Sequence, residues 1–179
     1  MSARRRALTC LLVLCACNPV APKPTAAPSN APSPTVTQPA LHITASGTVR
    51  QPVRMFQQVH NQIEYELVAS SGESQGPQGK ARAVFRNATV TFRGRDGAST
   101  TARAPTATVD ETANAVTMSG GVIAHSASGV TLQCDQLRYD HRTQMLHGTG
   151  NVSIVDQKGF RATGSSFDSD VSLIHMTMR

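Results

Sequence analysis

The sequence predicts an all-β fold, an elongated stack of repeated antiparallel hairpins with no substantial helix. Three observations predict it: a 30-residue repeat, short alternating segments rich in Val, Thr, Leu and Phe, and Gly, Asp, Asn and Ser between those segments. Asp110, Asp140 and Asp170 recur at the repeat interval, as do Gly120 and Gly150. A repeat of this length corresponds to one hairpin unit stacked on the next, which decides the architecture before any motif does.

The composition suits thin stacked sheets with few large side chains. Among the 179 residues, 39% are apolar, only 4% are aromatic, and Trp is absent. A conventional globular core carries more large side chains than this. The sequence therefore predicts an interior in which Ala, Thr, Ser, Val and Gly alternate with a few large residues.

The first 16 residues have the pattern of a signal peptide. Arg4–Arg6 form a positive segment, and the apolar run 7–16 is about half the roughly 20 residues that a transmembrane helix needs. The run ends in Leu-Cys-Ala-Cys, which resembles the bacterial lipobox, so we expect Cys17 to carry the lipid and to become the new N-terminus. A plain secretory signal cut nearby is the alternative.

The region 17–40 is predicted to be a lipidated cysteine followed by a proline-rich tether. Seven of the ten prolines lie between Asn18 and Pro39, and Lys23 is the only charged residue there. Such a segment buries no core and favours extended polyproline conformations of roughly 3.1 Å per residue. After processing, Cys134 is the only cysteine left in the predicted domain 41–179, where we expect a small buried apolar residue rather than a disulfide or a reactive thiol.

The predicted domain begins with two strands and a loop. The first strand lies near Leu41, the second covers 63–69 with alternating apolar and polar residues, and Ser70–Gly79 is predicted to be a loop because it holds three glycines and Pro77.

Three similar copies follow, over 90–110, 122–140 and 152–170, each a strand, a Gly turn and a second strand. Gly97, Gly129 and Gly159 occupy the turn position, where a tight hairpin needs positive φ. After each turn the apolar residues occupy alternate positions, and at the same place in each copy they shift from even-numbered to odd-numbered positions, which is a change of parity. A repeated change of parity predicts a bulge or corner that re-aims every strand.

No motif predicts catalysis, a cofactor or a metal site. The six histidines have no ligand spacing with Cys or carboxylates, and we expect His141 and His147 to be solvated at a turn. Asp110, Asp140 and Asp170 each end a strand and open a polar turn, so we expect them to bond their own backbone. The alternative is a functional carboxylate cluster, as in a β-solenoid enzyme acting on polysaccharide.

The basic side chains are concentrated in one part of the domain. The full chain has a formal charge of +6, and removal of the signal leaves 14 basic and 11 acidic side chains, or +3. Between Lys80 and Arg103 six basic residues occur with only Asp96 among them. These residues either face water or bind phosphate or a partner. Nucleic acid is not expected, since the chain is exported and lacks stacking aromatics.

The alternating apolar residues are predicted to line one interior. Because many of their partners are Ala, Gly or Thr, that interior is either an ordinary packed core or a slot that accepts acyl chains. The predicted lining residues are Val90, Phe92, Val116, Met118, Val122, Ala124, Val130, Leu132, Tyr139, Leu146, Val152, Ile154, Phe160 and Phe167.

The order of these features resembles a known family. The segments GVTLQCDQLRYD (129–140) and GFRATGSSFDSD (159–170), which follow a targeting segment and a strand YELVA (65–69), are similar to the LptC family and the related OstA-like β-jellyrolls, which include the LptA type. The resemblance implies a twisted β-jellyroll and a part in lipopolysaccharide transport, from an inner-membrane ABC transporter to a bridge of jellyrolls across the periplasm.

The resemblance also implies the partners and the mode of assembly. Family members hold acyl chains inside the jellyroll and pair edge strand to edge strand, so we expect 41–49 to meet the transporter and 172–178 to meet the next jellyroll. C-type members use a transmembrane helix where this chain would use lipid on Cys17, so we expect a lipid-anchored periplasmic protein, at the inner membrane rather than the outer. A structural envelope lipoprotein without lipid cargo stays open as the alternative.

Overall fold

The computed structural model describes residues 41–179, in which every regular element is a β-strand. The all-β prediction is confirmed, and within this range no helix is long and apolar enough to cross a membrane. The predicted signal peptide, the lipidated Cys17 and the tether lie outside the described residues. The strands are β1 (Leu41–Ser46), β2 (Val53–Val59), β3 (Gln62–Ala69), β4 (Ser71–Gly76), β5 (Arg82–Arg93), β6 (Ser99–Asp110), β7 (Ala115–Ser126), β8 (Thr131–Asp140), β9 (Met145–Val155), β10 (Arg161–Asp170) and β11 (Met176–Met178).

All described strands join one antiparallel sheet in which neighbours along the chain are mostly neighbours in space. The main order is β1-β4-β5-β6-β7-β8-β9-β10-β11, and β2 and β3 form a branch that joins the second half of β5. Strand β5 pairs with β4 through Arg82–Arg86 and with β3 through 89–92. The sheet therefore has two edges at its N-terminal end, β1 and β2.

The sheet bends along one line that crosses its long strands. The pairings of β6 with β7, β7 with β8, β8 with β9 and β9 with β10 each shift register near the middle of the strand. Gly120 and Gly121 sit on this line with φ of +94° and +89°, a conformation that glycine adopts without steric cost. The corner predicted from the change of parity is confirmed.

The bend divides the sheet into two panels that face each other. The first panel holds β1, β4, β11 and one half of each long strand, namely 82–86, 106–110, 115–119, 136–140, 145–149 and 166–170. The second panel holds β2, β3 and the other halves, namely 88–93, 99–103, 122–126, 131–134, 152–155 and 161–164. Tyr139 of the first panel lies 4.8 Å, between ring centroids, from Phe92 of the second. The core is therefore the space between the panels.

The hairpin turns lie at the ends of the panels away from the bend, and we call this border the rim. Gly97, Gly129 and Gly159 adopt φ of +82°, +87° and +86° in the turns of the second panel, as predicted. The N–H of Gly129 donates to the carbonyl of Ser126 at 3.0 Å, which closes one of these turns. Equivalent bonds join Gly97 to Gly94 and Gly159 to Asp156, so the three copies share one turn geometry.

The three periodic aspartates form the turns of the first panel, as predicted. Asp110 accepts a hydrogen bond from the N–H of Ala113 at 2.8 Å, and Asp140 accepts from the N–H groups of Arg142 (2.9 Å) and Thr143 (3.1 Å). The bonds from Thr143 and Arg142 hold the pKa of the Asp140 carboxyl below its usual range. The carboxylates of Asp110 and Asp140 are thus used in their own turns.

The end of β10 crosses the rim and helps to close it. The carbonyl of Val171 accepts a 2.5 Å hydrogen bond from the hydroxyl of Thr100, and the carbonyl of Ser172 accepts one from Ser128 at 2.9 Å. Leu173 is fully buried although its φ is +56°, which is uncommon for a residue with a branched side chain. Residues 171–173 therefore tie the first panel to the turns of the second.

Three local predictions differ from the structure. Ser70–Gly79 is not simply a loop, because residues 71–76 form strand β4, which pairs with β1 and β5. The residue of β4 that packs inward is Gly72, which lies against the ring of Phe85. Strand β2 was not predicted. It lies at the edge of the second panel, where its inward residues are only half-buried, so its sequence does not need a strongly apolar face. The predicted last strand 172–178 is shorter, with β11 covering Met176–Met178.

Asp140→Asn tests the link between turn geometry and stability. The fold stabilises the ionised form of the Asp140 carboxyl. Its contribution to the free energy of unfolding is therefore complete above the unfolded pKa of about 3.9 and is lost as the pH falls through the lower pKa of the folded state. We expect the variant to be about 1 kcal/mol less stable than wild type at pH 7, with the gap closing below about pH 4. Urea unfolding followed by circular dichroism at several pH values measures this, and a gap independent of pH would contradict the assignment.

Candidate functional site: the interior between the panels

The structure brings together thirteen of the fourteen residues that were predicted to line one interior. Each of them is 9% exposed or less, and together they belong to one continuous core cluster. They are Val90, Phe92, Val116, Met118, Val122, Ala124, Val130, Leu132, Tyr139, Leu146, Val152, Ile154 and Phe167. Whether this interior receives lipid is a separate question, which burial does not answer.

Phe160 is the exception and lies outside the interior, with 60% of its surface exposed. It belongs to the β9–β10 turn, where its N–H donates to the carboxylate of Asp156 at 2.8 Å. Strand β10 is the last strand of the second panel, and no described strand pairs with its first half, 161–164, on the far side. On that side the side chain has no described strand to pack against.

Other large members of the core are not among the predicted lining residues. Tyr65, Leu67, Phe85, Leu137 and Leu173 are buried, with 6% exposure or less. The alternation of 83 and 85 is a signal for Phe85, but the first predicted repeat copy starts only at 90. Leu173 lies in an irregular segment, where no periodicity could have indicated it.

Small residues set how closely the interior packs. A Cβ atom on Gly148 would overlap the ring of Phe167, so this ring lies directly on the neighbouring backbone. Ala102, Ala107 and Ala124 are completely buried. The interior is thus filled by alternating small and large side chains rather than left as an empty slot.

Tyr139 lies at the centre of an aromatic group in this interior. Its ring centroid is 6.3 Å from that of Tyr65, in an edge-to-face arrangement, and 4.8 Å from that of Phe92. Its hydroxyl is buried without a hydrogen-bond partner among the described residues. Burial raises the pKa of Tyr139, and burial together with Glu111 and Glu64 raises the pKa of Tyr65 to about 12, so both hydroxyls stay neutral.

A cavity of about 310 Å³ opens at the rim beside this aromatic group. It lies between β2 and β3 of the second panel and the β6–β7 turn of the first. Met55, Tyr65, Val109 and Val116 supply apolar walls, and polar residues including Glu111 complete the lining. This opening connects solvent with the apolar interior.

His141 and His147 each contact a carboxylate. His141, predicted to be solvated, contacts the carboxylate of Glu64, which also accepts a hydrogen bond from Gln144 at 3.3 Å. His147 was likewise expected in solvent, but it pairs with Asp168 at 2.5 Å. These pairs arise because the folded sheet places carboxylates opposite both histidines, which separation in sequence does not indicate.

Cys134 is buried, as expected, and is the free cysteine of the described domain. Burial, aided by the charge of Asp135, raises the pKa of its thiol to about 11, which keeps the unreactive neutral form. Among residues 41–179 no three His, Cys, Asp or Glu side chains are grouped as a metal ion would require.

Comparisons with known proteins agree with this geometry. The chain is similar to the crystal structure of LptH from Pseudomonas aeruginosa, the LptA-homologous periplasmic component of a lipopolysaccharide transport device. That likeness has a TM-score of 0.51 and 15% identity, and it covers 64% of this chain and 80% of the other, which shows the fold. No curated protein matches the chain.

A family model for lipopolysaccharide-assembly, LptC-related proteins matches residues 11–177, which is nearly the whole chain. The match includes every long strand of the sheet and the turns that connect them. The chain therefore belongs to the LptC-related family of lipopolysaccharide-assembly proteins.

Proposed function

We propose that this protein is a lipid-anchored component of the periplasmic lipopolysaccharide bridge and that it carries acyl chains between its two panels. The observation that supports this most is the single apolar interior, whose core members form one cluster from β3 to the segment that follows β10. Burial of an acyl chain contributes about 0.8 kcal/mol per CH₂, so such an interior can shelter lipid from the aqueous periplasm.

Entry is proposed at the rim, next to the cavity of about 310 Å³. The interior is filled by protein side chains, so an acyl chain enters as the panels part and replaces side-chain contacts with its own. Near this cavity the Glu64 carboxylate connects β3 with the β8–β9 turn through His141 and Gln144. A connection made by a few polar groups breaks at lower cost than a continuous ladder of backbone hydrogen bonds.

Transfer is proposed to use the free strand edges. Among the described strands, β1 pairs only with β4 and β2 only with β3, and the outer backbone groups of both have no partner strand there. At the other end, β11 pairs with β10 only over three residues. Exposed edges favour strand addition, so we propose that the N-terminal edge meets the ABC transporter and the C-terminal edge meets an LptA-like jellyroll.

A structural envelope lipoprotein without lipid cargo is the second candidate. The dense packing of the interior favours it, because Phe167 lies against Gly148 with no room between them. The two functions differ in whether lipid ever contacts the inner face of a panel.

Photo-crosslinking in cells distinguishes these functions. A benzophenone side chain at Val122 or Ile154 points into the interior, whereas one at the neighbouring Ile123 points outward, because Ile123 is 45% exposed. We expect lipopolysaccharide adducts from 122 and 154 and none from the matched control at 123. Failure of both interior positions, with protein levels equal to wild type, would leave the structural lipoprotein.

Deletion of 176–179 tests the proposed C-terminal edge. This deletion removes β11 and keeps the buried residues 171–173 that tie the panels together. We expect at least a tenfold loss of co-purified LptA-like partner, because the paired backbone surface is gone, while the adduct at position 122 persists. Undiminished recovery of the partner would reject this arrangement.

Cys17→Ala tests the anchor. Without a cysteine there is no thiol to receive the lipid, so we expect the protein to move from the membrane fraction to the soluble periplasmic fraction. Density-gradient separation of inner and outer membranes identifies which membrane holds the wild-type protein. Continued membrane association of the variant, to the same extent as wild type, would reject lipid anchoring through Cys17.

A further inference from the structure

We propose that Arg93 and Arg95 form a binding site for a phosphate monoester at the rim, and that the head group of the carried glycolipid supplies this phosphate. The inference rests on the proposed lipid-carrying function and concerns the polar head group of the same ligand. It assigns a role to two of the six basic residues between Lys80 and Arg103, all of which have exposed side chains.

Both arginines line a concave surface rather than a flat strand face. A cavity of about 420 Å³ is bordered by Arg93, Arg95, His60 and Gln62, together with Glu64 and neighbouring residues. An adjoining cavity of about 280 Å³ shares both arginines and Gln62. A third, of about 230 Å³, shares Arg95 and continues toward 170–172. The three cavities form one depression along the rim, centred on the β5–β6 turn.

The two guanidinium groups have no carboxylate within 4.0 Å in the part of the chain that the structure describes. The nearest acidic residue in sequence, Asp96, accepts a 3.0 Å hydrogen bond from the N–H of Ala98 within the turn. Glu64 also borders the depression, and its charge opposes an anion, but His141 and Gln144 contact its oxygens. Asp96 and Asp170 border the third cavity as well, and Asp170 contacts Ser172 and His175. Neither guanidinium group therefore has a direct ion pair among the described residues, although three carboxylates border the depression.

A phosphate monoester fits this donor set better than a carboxylate does. Arginine presents a planar fork of donors that matches two phosphate oxygens, and two such forks can hold a dianion from both sides. The amide of Gln62 and the ring of His60 add further hydrogen-bond donors on the same wall. The cavity is open to solvent, so a bulky sugar that bears the phosphate can remain outside.

The depression is placed correctly for an amphipathic ligand. Arg93 directly follows Phe92, whose buried ring packs on Tyr139 at the centre of the interior. The charge of Arg95 also acts on the Tyr139 hydroxyl and opposes the larger effect of burial on its pKa. A phosphate held by these arginines would thus leave the attached acyl chains next to the aromatic group and the apolar core.

The test compares the full-length protein, purified in detergent, with R93A/R95A and with R82A/R103A. The second pair carries the same change of charge at two exposed arginines, on β5 and β6, that do not line the depression. The probes are lipopolysaccharide, the same lipopolysaccharide after phosphatase treatment, and inorganic phosphate, with equilibrium dissociation constants measured by thermophoresis. We expect R93A/R95A to bind intact lipopolysaccharide about tenfold more weakly and R82A/R103A to bind it like wild type.

The phosphatase-treated probe identifies the source of the anion. Equal binding of this probe by wild type and R93A/R95A, together with the tenfold loss for intact lipopolysaccharide, supports the proposal. Equal binding of intact lipopolysaccharide by wild type and R93A/R95A overturns it and leaves the acyl-chain interior unaffected. If wild type binds neither lipid, the proposed function fails, and binding of inorganic phosphate that is lost in R93A/R95A would reassign the site to free phosphate.

Discussion

The fold depends on one backbone constraint, the line of bulges that bends every long strand at the same level. A single antiparallel sheet has two faces and can bury one of them only against another layer. Here the register shifts turn the second half of each strand back over the first, so one sheet supplies both layers. Gly120 and Gly121 make the turn without the steric cost of a side chain at positive φ.

The same bend explains the pattern of residues on either side. Because an extra residue reverses which alternate side chains face inward, Cys134 and Leu137 of β8 both point into the core although they are three residues apart across the bulge. The core then combines a few large side chains with alanines and glycines that let the panels approach. This packing leaves cavities at the rim, where the two panels are joined by side-chain contacts and not by a ladder of strands.

That separation of apolar interior and polar rim matches the chemistry of an amphipathic glycolipid. In the proposed function the acyl chains occupy the space between the panels, and in the further inference a phosphate sits against Arg93 and Arg95 at the border of that space. Both ends of the sheet keep strand edges that a neighbour can extend, so a continuous apolar path between proteins needs no rearrangement of the backbone ladder.

The sequence alone determined the class of the fold, the three hairpin copies, the turn roles of Gly97, Gly129 and Gly159, the turn roles of the aspartates and the level of the bend. These features are local, since the alternation of apolar residues, its change of parity and the residues that form turns can each be identified within a short segment. It also identified thirteen interior residues, because inward-facing side chains recur at every second position along each half of a strand.

Only the tertiary structure decided how the ends and the rim are arranged. Strand β4 forms from a glycine-rich segment because β1 and β5 supply its backbone partners, and Phe160 is exposed because no strand lies beyond β10 at that point. The Glu64–His141 contact and the depression at Arg93 and Arg95 each join residues from strands far apart in the chain. Such features depend on how the two panels meet, and no short window of sequence contains that information.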